Sequence, residues 1–276
     1  MELFDIIILT FLSFLIGYIS VIFGIGGGLF NVPILVFFFN IPIPQAVAAS
    51  LVSVAALSAM SVMSKIRHGF VNIRVASLLE PFSIFGMLIG VFLVAIVKEN
   101  NIRIIFTILS FIMATNMLIK TFHSRKKDVK IIRTKNTFYG EYRDQGLGKT
   151  IKYNPKNIMI SSPFSFLAGL LSALVGIGGG IVLVPIMNFL CRMPIKASVA
   201  TSNFILFVSS ACGAFSYMIK GFIIYDIAGA MVLGSMTGAY FGMKMLVKIK
   251  PKIIQVLFAV LMYIISIKFL TSVVGN

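Results

Sequence analysis

Charged residues are scarce in this 276-residue sequence, and acidic residues number 8 against 24 lysines and arginines. Charged residues make up 12% and hydrophobic residues 59%, whereas a soluble domain is about 25% charged and about 45–50% apolar. The mean hydropathy is +1.03. This composition leaves too little polar surface for a soluble globular protein, and it excludes a disordered chain and a disulfide scaffold. It predicts an all-α polytopic membrane protein.

Cysteine and histidine, the usual metal ligands, are nearly missing, with two of each. Cys191 and Cys212 have neither metal-binding nor redox spacing and are interpreted as packing residues. His68 lies at a loop edge and His123 in a polar linker, without partners for metal binding or catalysis. We find no nucleophile, acid pair or metal cluster inside an apolar segment. The sequence therefore predicts no metal site, no cofactor and no enzymatic activity.

Basic residues are absent from the first 23 positions and concentrated elsewhere. The N-terminal stretch lacks the positive region and the small-residue cleavage site of a signal peptide, so we interpret it as a retained membrane helix. Eleven of the 24 basic residues lie between Lys120 and Lys156. Because they separate apolar runs, they indicate a cytoplasmic loop and not a nucleic-acid site. Contact with lipid headgroups or a partner is the alternative.

The sequence contains an internal repeat at an offset of 152 residues. FLIGYISVIFGIGGGLFNVPILVFF begins at Phe14, and FLAGLLSALVGIGGGIVLVPIMNFL begins at Phe166. Between positions 17 and 90, 25 of 74 residues are identical to their partners, against roughly one in ten by chance. We therefore predict two homologous transmembrane halves, 1–121 and 161–276, joined by a basic cytoplasmic linker, 122–160.

Each half has the same order of segments. An apolar run ends in GIGGG, a short apolar run follows, and a proline-containing break comes next. Three longer segments then follow, each long enough to cross a membrane. They are predicted at about 45–64, 75–97 and 104–121 in the first half, and at about 197–219, 227–247 and 253–273 in the second. The chain thus has about eight hydrophobic segments, and each half begins with a glycine-broken helix.

Charge distinguishes parallel from inverted halves, because lysine and arginine stay cytoplasmic. If each broken segment crosses the membrane once, the halves are parallel and the basic residues divide 16 inside to 8 outside. If it enters and leaves on one side, the halves are inverted and the division is 20 to 4. The inverted arrangement is favoured, although residues 4–23 are long enough to cross alone. Inverted repeats with broken helices are a common transporter plan.

The GIGGG motifs have the composition of a backbone anion site. Adjacent glycines allow positive φ angles and expose N–H groups, and the next helix directs its positive dipole end at the break. The predicted substrate-binding glycines are Gly26, Gly27, Gly28, Gly178, Gly179 and Gly180. Close helix packing through small residues is the alternative. Two copies at matching positions favour a binding site.

Polar side chains follow the second break of each half. Ser50 and Ser202 occupy matching positions, and Thr201, Ser202 and Asn203 together predict a wet cavity. The alternative for such hydroxyls is a bond to a backbone carbonyl of their own helix. Glu80 is an acid within a predicted span, which makes it a candidate for proton coupling. Its matching residue is Val232, so the repeat does not support this role.

The duplicated G-x-G-G-G, each followed by Val-Pro, and a later Ala-Thr-Ser resemble the sulfite exporter TauE/SafE family. The resemblance covers nearly the whole chain apart from the basic linker. It implies a bacterial inner-membrane permease with about eight segments in two repeats, carrying sulfite, sulfoacetate or other organosulfur anions. It places the motif at Gly24, Gly26, Gly27, Gly28, Pro33, Ser50, Gly176, Gly178, Gly179, Gly180, Pro185, Thr201 and Ser202. Ala49 stands where the family pattern has threonine.

We therefore predict a secondary transporter for a small anion, sulfite or an organosulfonate, working by alternating access around the two breaks. The alternatives are an uptake permease for another organic anion and a membrane scaffold protein acting through its basic loop. The predicted partners are the anionic substrate and the lipid bilayer, without nucleic acid. A homodimer is compatible with this class of transporter, but no dimer interface can be identified from the sequence.

Overall fold

The computed structural model describes residues 3–23, 26–66, 69–94, 96–122, 137–144, 149–245 and 251–274. The predictions for Gly24, His68 and His123, and for most of the basic linker, fall outside these ranges. Within them the chain forms ten α-helices and one β-hairpin. Five helices precede the hairpin and five follow it.

The first five helices are α1 (Leu3–Phe23), α2 (Gly28–Phe38), α3 (Ile43–Ile66), α4 (Ile73–Val94) and α5 (Glu99–Phe122). The hairpin consists of β1 (Gly140–Asp144) and β2 (Lys149–Tyr153), and a short 3₁₀ turn (Met159–Ser161) follows it. The last five helices are α6 (Ser162–Val175), α7 (Gly180–Phe189), α8 (Ile195–Ile219), α9 (Tyr225–Met245) and α10 (Pro251–Val274).

The helices coincide with the apolar segments of the sequence. The predicted segment 45–64 is α3, and the predicted segment 227–247 is α9. Among the described residues, α1, α3, α4 and α8 are long and apolar enough to cross a membrane. Large apolar side chains such as Phe85, Phe92 and Leu233 are exposed on the helix surfaces, as expected for a surface in contact with lipid. The prediction of a helical membrane protein is confirmed at this level.

Glycines bring helices that precede the hairpin into backbone contact with helices that follow it. Helix α1 packs along α9, and α4 packs along α6. A Cβ atom at Gly238 of α9 would overlap the carbonyl of Phe14 in α1, and one at Gly86 of α4 would overlap the carbonyl of Phe166 in α6. Small residues permit this approach, which replaces the hydrophobic effect as the source of helix association in lipid. Helices α3 and α8 also pack against each other, as do α5 and α10.

The hairpin covers one end of the helix bundle. Its strands pair antiparallel, with Tyr142 opposite Ile151. Tyr142 and Tyr153 are buried in an apolar cluster that includes Leu79 of α4 and Met187 of α7. This part of the linker 122–160 is therefore packed against the helices, which its interpretation as a basic loop did not predict. Alternation along the strands directs them to one face, where they cover apolar helix ends.

The connections between helices gather at two opposite ends. At the end covered by the hairpin (the hairpin end), the backbone N–H of Lys156 donates to the carbonyl of Cys191 in the α7–α8 connection, 3.1 Å away. At the opposite end, the Nζ of Lys220 donates to the carbonyl of Val91 in α4, 2.8 Å away. Helix α3 runs between the two ends, and its 24 residues correspond to about 36 Å of helical rise.

Candidate functional site

The second glycine break is a short non-helical turn between two half-length helices. Helix α6 ends at Gly176, which adopts φ 70° and donates its N–H to the carbonyl of Ser172. Gly178 and Gly179 follow with φ 82° and 54°, and α7 begins at Gly180. Residues other than glycine rarely adopt positive φ angles of this size. The glycines therefore stop one helix and start the next within a few residues.

The described part of the first break has the same conformation. Gly26 and Gly27 adopt φ 79° and 76°, and α2 begins at Gly28. The N-caps of α2 and α7 are Gly27 and Gly179, and neither has a side chain that satisfies the helix N–H groups. Each break thus presents the positive end of a helix dipole without a capping carboxylate or hydroxyl.

The two breaks meet inside the molecule. Gly28 lies directly against the backbone of Gly176 and Ile177, and a Cβ atom at Gly28 would overlap the Gly176 carbonyl. Val54 of α3 lies against both Gly26 and Gly178. The structure therefore brings the N-terminal ends of α2 and α7 together, and α3 packs over both breaks.

The predicted hydroxyl residues occupy different environments. Ser50 donates its hydroxyl to the carbonyl of Gly176 at 2.8 Å, so it bonds to the other half and not to its own helix. The hydroxyl oxygen of Thr201 accepts the backbone N–H of Asn72 at 3.0 Å. The Nδ2 of Asn203 donates to the hydroxyl of Ser61 at 2.7 Å. Each of these three side chains joins a residue before the hairpin to a residue after it.

Ser202 differs from these three residues because its buried hydroxyl has no hydrogen-bond partner among the described residues. Asn203 likewise leaves its side-chain oxygen without a described partner. Further buried hydroxyls in the same condition lie on α1, α3, α5, α6 and α8, and they are Ser13, Ser20, Ser53, Ser58, Ser110, Ser172, Ser209 and Ser210. Buried polar groups normally have partners, so each of these hydroxyls is a candidate for contact with water or a polar ligand.

Glu80, the candidate for proton coupling, lies in α4 immediately before Pro81. One of its carboxylate oxygens is buried without a hydrogen-bond partner in the described part of the chain. Helix α4, which carries Glu80, packs along α6 and α8.

Arg103 is a potential site residue that the sequence interpretation missed. In the inverted arrangement, Arg103 is one of the four basic residues assigned to the external side. The structure places it one turn into α5. It lines a narrow cleft with Val32, which follows the first break, and Val175, which precedes the second. Its position four residues after Glu99, at the start of an apolar run, was the available signal.

The second break has little free space beside it in this conformation. A cavity there is lined by Ser172, Ile177 and Gly179 and leaves about 10 Å³ for a water-sized molecule. That volume corresponds to about one water, which is smaller than an oxyanion such as sulfite. An oxyanion therefore enters this cavity only after the surrounding helices move apart.

Comparison with known proteins agrees with a membrane transport function. The family model described as "Sulfite exporter TauE/SafE" matches residues 9–269. "Probable membrane transporter protein YunE" of Bacillus subtilis (strain 168) is 29% identical over 94% of this chain and 95% of its own length. "Probable membrane transporter protein MJ0441" of Methanocaldococcus jannaschii is 26% identical over 91% of this chain and 90% of its own length. No solved structure matches the chain.

Proposed function

The chain belongs to the sulfite exporter TauE/SafE family and is a multi-pass bacterial membrane transporter, and we propose that its cargo is a small anion, sulfite or an organosulfonate. The observation that carries this proposal is the contact between the two glycine breaks. Two uncapped helix N-termini converge there, and such termini bind anions through backbone N–H groups and the helix dipole. The cargo would be held without a buried lysine or arginine at the breaks themselves.

The proposed binding residues are the backbone N–H groups of both breaks and the hydroxyls around them. Gly26, Gly27, Gly28, Gly178 and Gly179 would provide the N–H groups. The N–H of Gly180 donates to the carbonyl of Gly178 in this conformation, so it would join them only after that bond opens. Ser202 is the strongest candidate among the side chains, because its hydroxyl is buried and has no described partner to give up. Thr201 and Asn203 would adjust the position of Ser202, and Ser50 would hold the second break through Gly176.

We also propose that residues 1–121 and 161–276 form two inverted halves, with the linker 122–160 at the cytoplasmic side. The positions of the helices support the two halves. Helix α10 begins and ends 152 residues after α5, which is the offset of the sequence repeat. The contacts of the hairpin end support it as well, because the α3–α4 and α7–α8 connections both lie there. In this arrangement 20 of the 24 basic residues are cytoplasmic.

Transport would proceed by alternating access around the breaks. The packed pairs α1–α9 and α4–α6 each join the two proposed halves through glycine contacts, so relative sliding of these pairs would open one end and close the other. Glu80 would carry the proton if transport is proton-coupled. An anion leaving a negative-inside cell gains about 2.3 kcal/mol per charge per 100 mV, which is consistent with export.

The proposal is tested by equilibrium binding of sulfite, sulfate and sulfoacetate to the purified protein in detergent. We expect the wild type to bind at least one of these anions. The double variant Gly27→Leu plus Gly179→Leu should lose binding, since both glycines have positive φ. Ser202→Ala should weaken binding without disturbing the backbone, and size-exclusion chromatography would verify that each variant is folded.

Gly229→Leu is the matched control, because a Cβ atom at Gly229 meets no other atom within 4 Å. It should bind like the wild type. If the wild type binds none of the three anions, the proposed cargo class is wrong. If the folded double variant and Ser202→Ala both bind like the wild type, the site does not lie at the breaks.

A further inference from the structure

Arg103 places a positive charge within the helix bundle, close to both glycine breaks. Its side chain retains 20% exposure, and its Nε is buried with no hydrogen-bond partner among the described residues. The cleft around it is otherwise apolar and is lined by Val32, Ile43, Ile102, Phe106, Val175 and Phe269. A cation in such surroundings is costly and in membrane proteins commonly marks a substrate pathway.

The cleft lies beside the breaks, on the side of the end opposite the hairpin, and leaves no room for a water-sized molecule in this conformation. Val32 lies one turn after Gly28, and Val175 directly precedes Gly176, so the walls of the cleft are continuous with the contact between the breaks. Ile43 is the first residue of α3, which begins at the opposite end. An anion that moves from the breaks to that end would pass the Arg103 guanidinium.

The ion pair that Arg103 forms is weak. One terminal nitrogen lies 3.8 Å from Oε2 of Glu99, whose side chain is 51% exposed. An exposed pair of this kind contributes little, so Glu99 is easily replaced by another anion. A guanidinium offers five N–H donors in a planar fork, which matches the oxygens of a sulfite or sulfonate group.

We propose that Arg103 recognises the negative charge of the cargo, with the transported oxyanion taking the place of Glu99 as its partner. This inference rests on the proposed function and adds a residue that selects for charge. The repeat position of Arg103 is occupied by Gln255, so this charge belongs to one half alone. Because the cleft is closed in this conformation, the guanidinium becomes accessible when the α5–α10 pair moves away from α2 and α6.

The test compares Arg103→Gln, Arg103→Lys and Glu99→Gln in the sulfoacetate-binding assay in detergent. Arg103→Gln should weaken binding at least about tenfold, because it removes charge-assisted hydrogen bonds to the anion. Arg103→Lys should weaken binding less, since it keeps the charge and loses the fork. Glu99→Gln should bind as tightly as the wild type or more tightly, because the competing carboxylate is gone.

Lys98→Gln is the matched control, since it removes one positive charge from an exposed neighbouring position. It should bind like the wild type. Equal binding by Arg103→Gln and Lys98→Gln would overturn the inference, as would an Arg103→Lys variant that binds no better than Arg103→Gln. Failure of the wild type to bind sulfoacetate, sulfite or sulfate would instead overturn the proposed function.

A second measurement does not depend on the affinity of the glutamine variant. In a protein whose native cysteines Cys191 and Cys212 are replaced by serine, Arg103→Cys is labelled with a maleimide in membrane vesicles. Labelling should be detectable and should slow when sulfite or sulfoacetate anions are added at a fixed ionic strength. Labelling that is unaffected by these anions would show that position 103 lies away from their pathway.

Discussion

The two glycine breaks share a sequence and, in their described residues, a conformation, but they are supported by different neighbours. Gly176 of the second break receives the Ser50 hydroxyl and lies against Val32 and Val47 from the other half. The matching hydroxyl, Ser202, has no partner in the described part of the chain. Its matching carbonyl would be that of Gly24, which lies outside the described residues.

We propose that this difference reflects two tasks, structural support for Ser50 and ligand binding for Ser202. Helix α3 holds the second break with Ser50 and packs over both breaks with Val54. Helix α8 contributes a buried hydroxyl that would be available to a ligand, with Thr201 and Asn203 anchored on either side. The proposed repeat would thus give matching residues distinct tasks. Substitutions at matched positions test this view.

The largest effect is expected from Gly28→Leu, because the new side chain would overlap the Gly176 carbonyl where two backbones touch. We expect a loss of about 3 kcal/mol or more, and little folded protein in size-exclusion chromatography. Gly26→Ala, which meets the flexible side chain of Leu206, should cost about 1–2 kcal/mol through its positive φ. A Gly28→Leu protein as stable as Gly229→Leu would contradict the contact between the breaks.

The second effect concerns the hairpin, which packs beside α7 and so covers the helix that follows the second break. Tyr142→Ala should cost up to about 3 kcal/mol locally, because it empties a buried aromatic position. The native Cys191 is buried in the same cluster, so its labelling by a thiol reagent should speed up. Lys152→Ala, on the exposed face of β2, should leave the rate unchanged. An unchanged rate in Tyr142→Ala would show that the hairpin does not protect this end.

A smaller effect should distinguish Ser50 from Ser202. Ser50→Ala removes the hydrogen bond to Gly176 and should lower stability by about 1 kcal/mol, measured as a lower thermal midpoint in detergent. Ser202→Ala removes a hydroxyl without a described partner and should leave the midpoint unchanged or slightly raised. The two variants should differ in the opposite way in the anion-binding assay, where Ser202→Ala should bind more weakly than Ser50→Ala. Equal effects in both assays would remove the distinction between support and binding.

Hydropathy alone was enough to predict the helical segments. The run 197–219 became α8 with its start displaced by two residues, since the length of an apolar run fixes the length of a membrane helix. The breaks were also predictable, because adjacent glycines in an apolar segment allow the positive φ angles seen at Gly178 and Gly179.

The long-range contacts could not be predicted from the sequence. Ser50 and Gly176 are 126 residues apart, and no pattern in either segment predicts that they form a hydrogen bond. The hairpin was missed because charge dominates the linker, although Tyr142, Ile151 and Tyr153 show the alternation and glycine-containing turn typical of a hairpin. Arg103 was missed because a charge count assigns it to a loop, whereas helix packing decides which way it faces.

The central claim is that anionic cargo binds beside Ser202, the buried hydroxyl of α8 without a described partner. It is tested most directly by placing a single cysteine there, as Ser202→Cys with Cys191 and Cys212 replaced by serine, and measuring maleimide labelling in membrane vesicles. The account predicts that sulfoacetate slows labelling at position 202 and leaves labelling of Lys196→Cys, at the exposed start of α8, unchanged. Labelling of position 202 at the same rate with and without sulfoacetate would contradict the account.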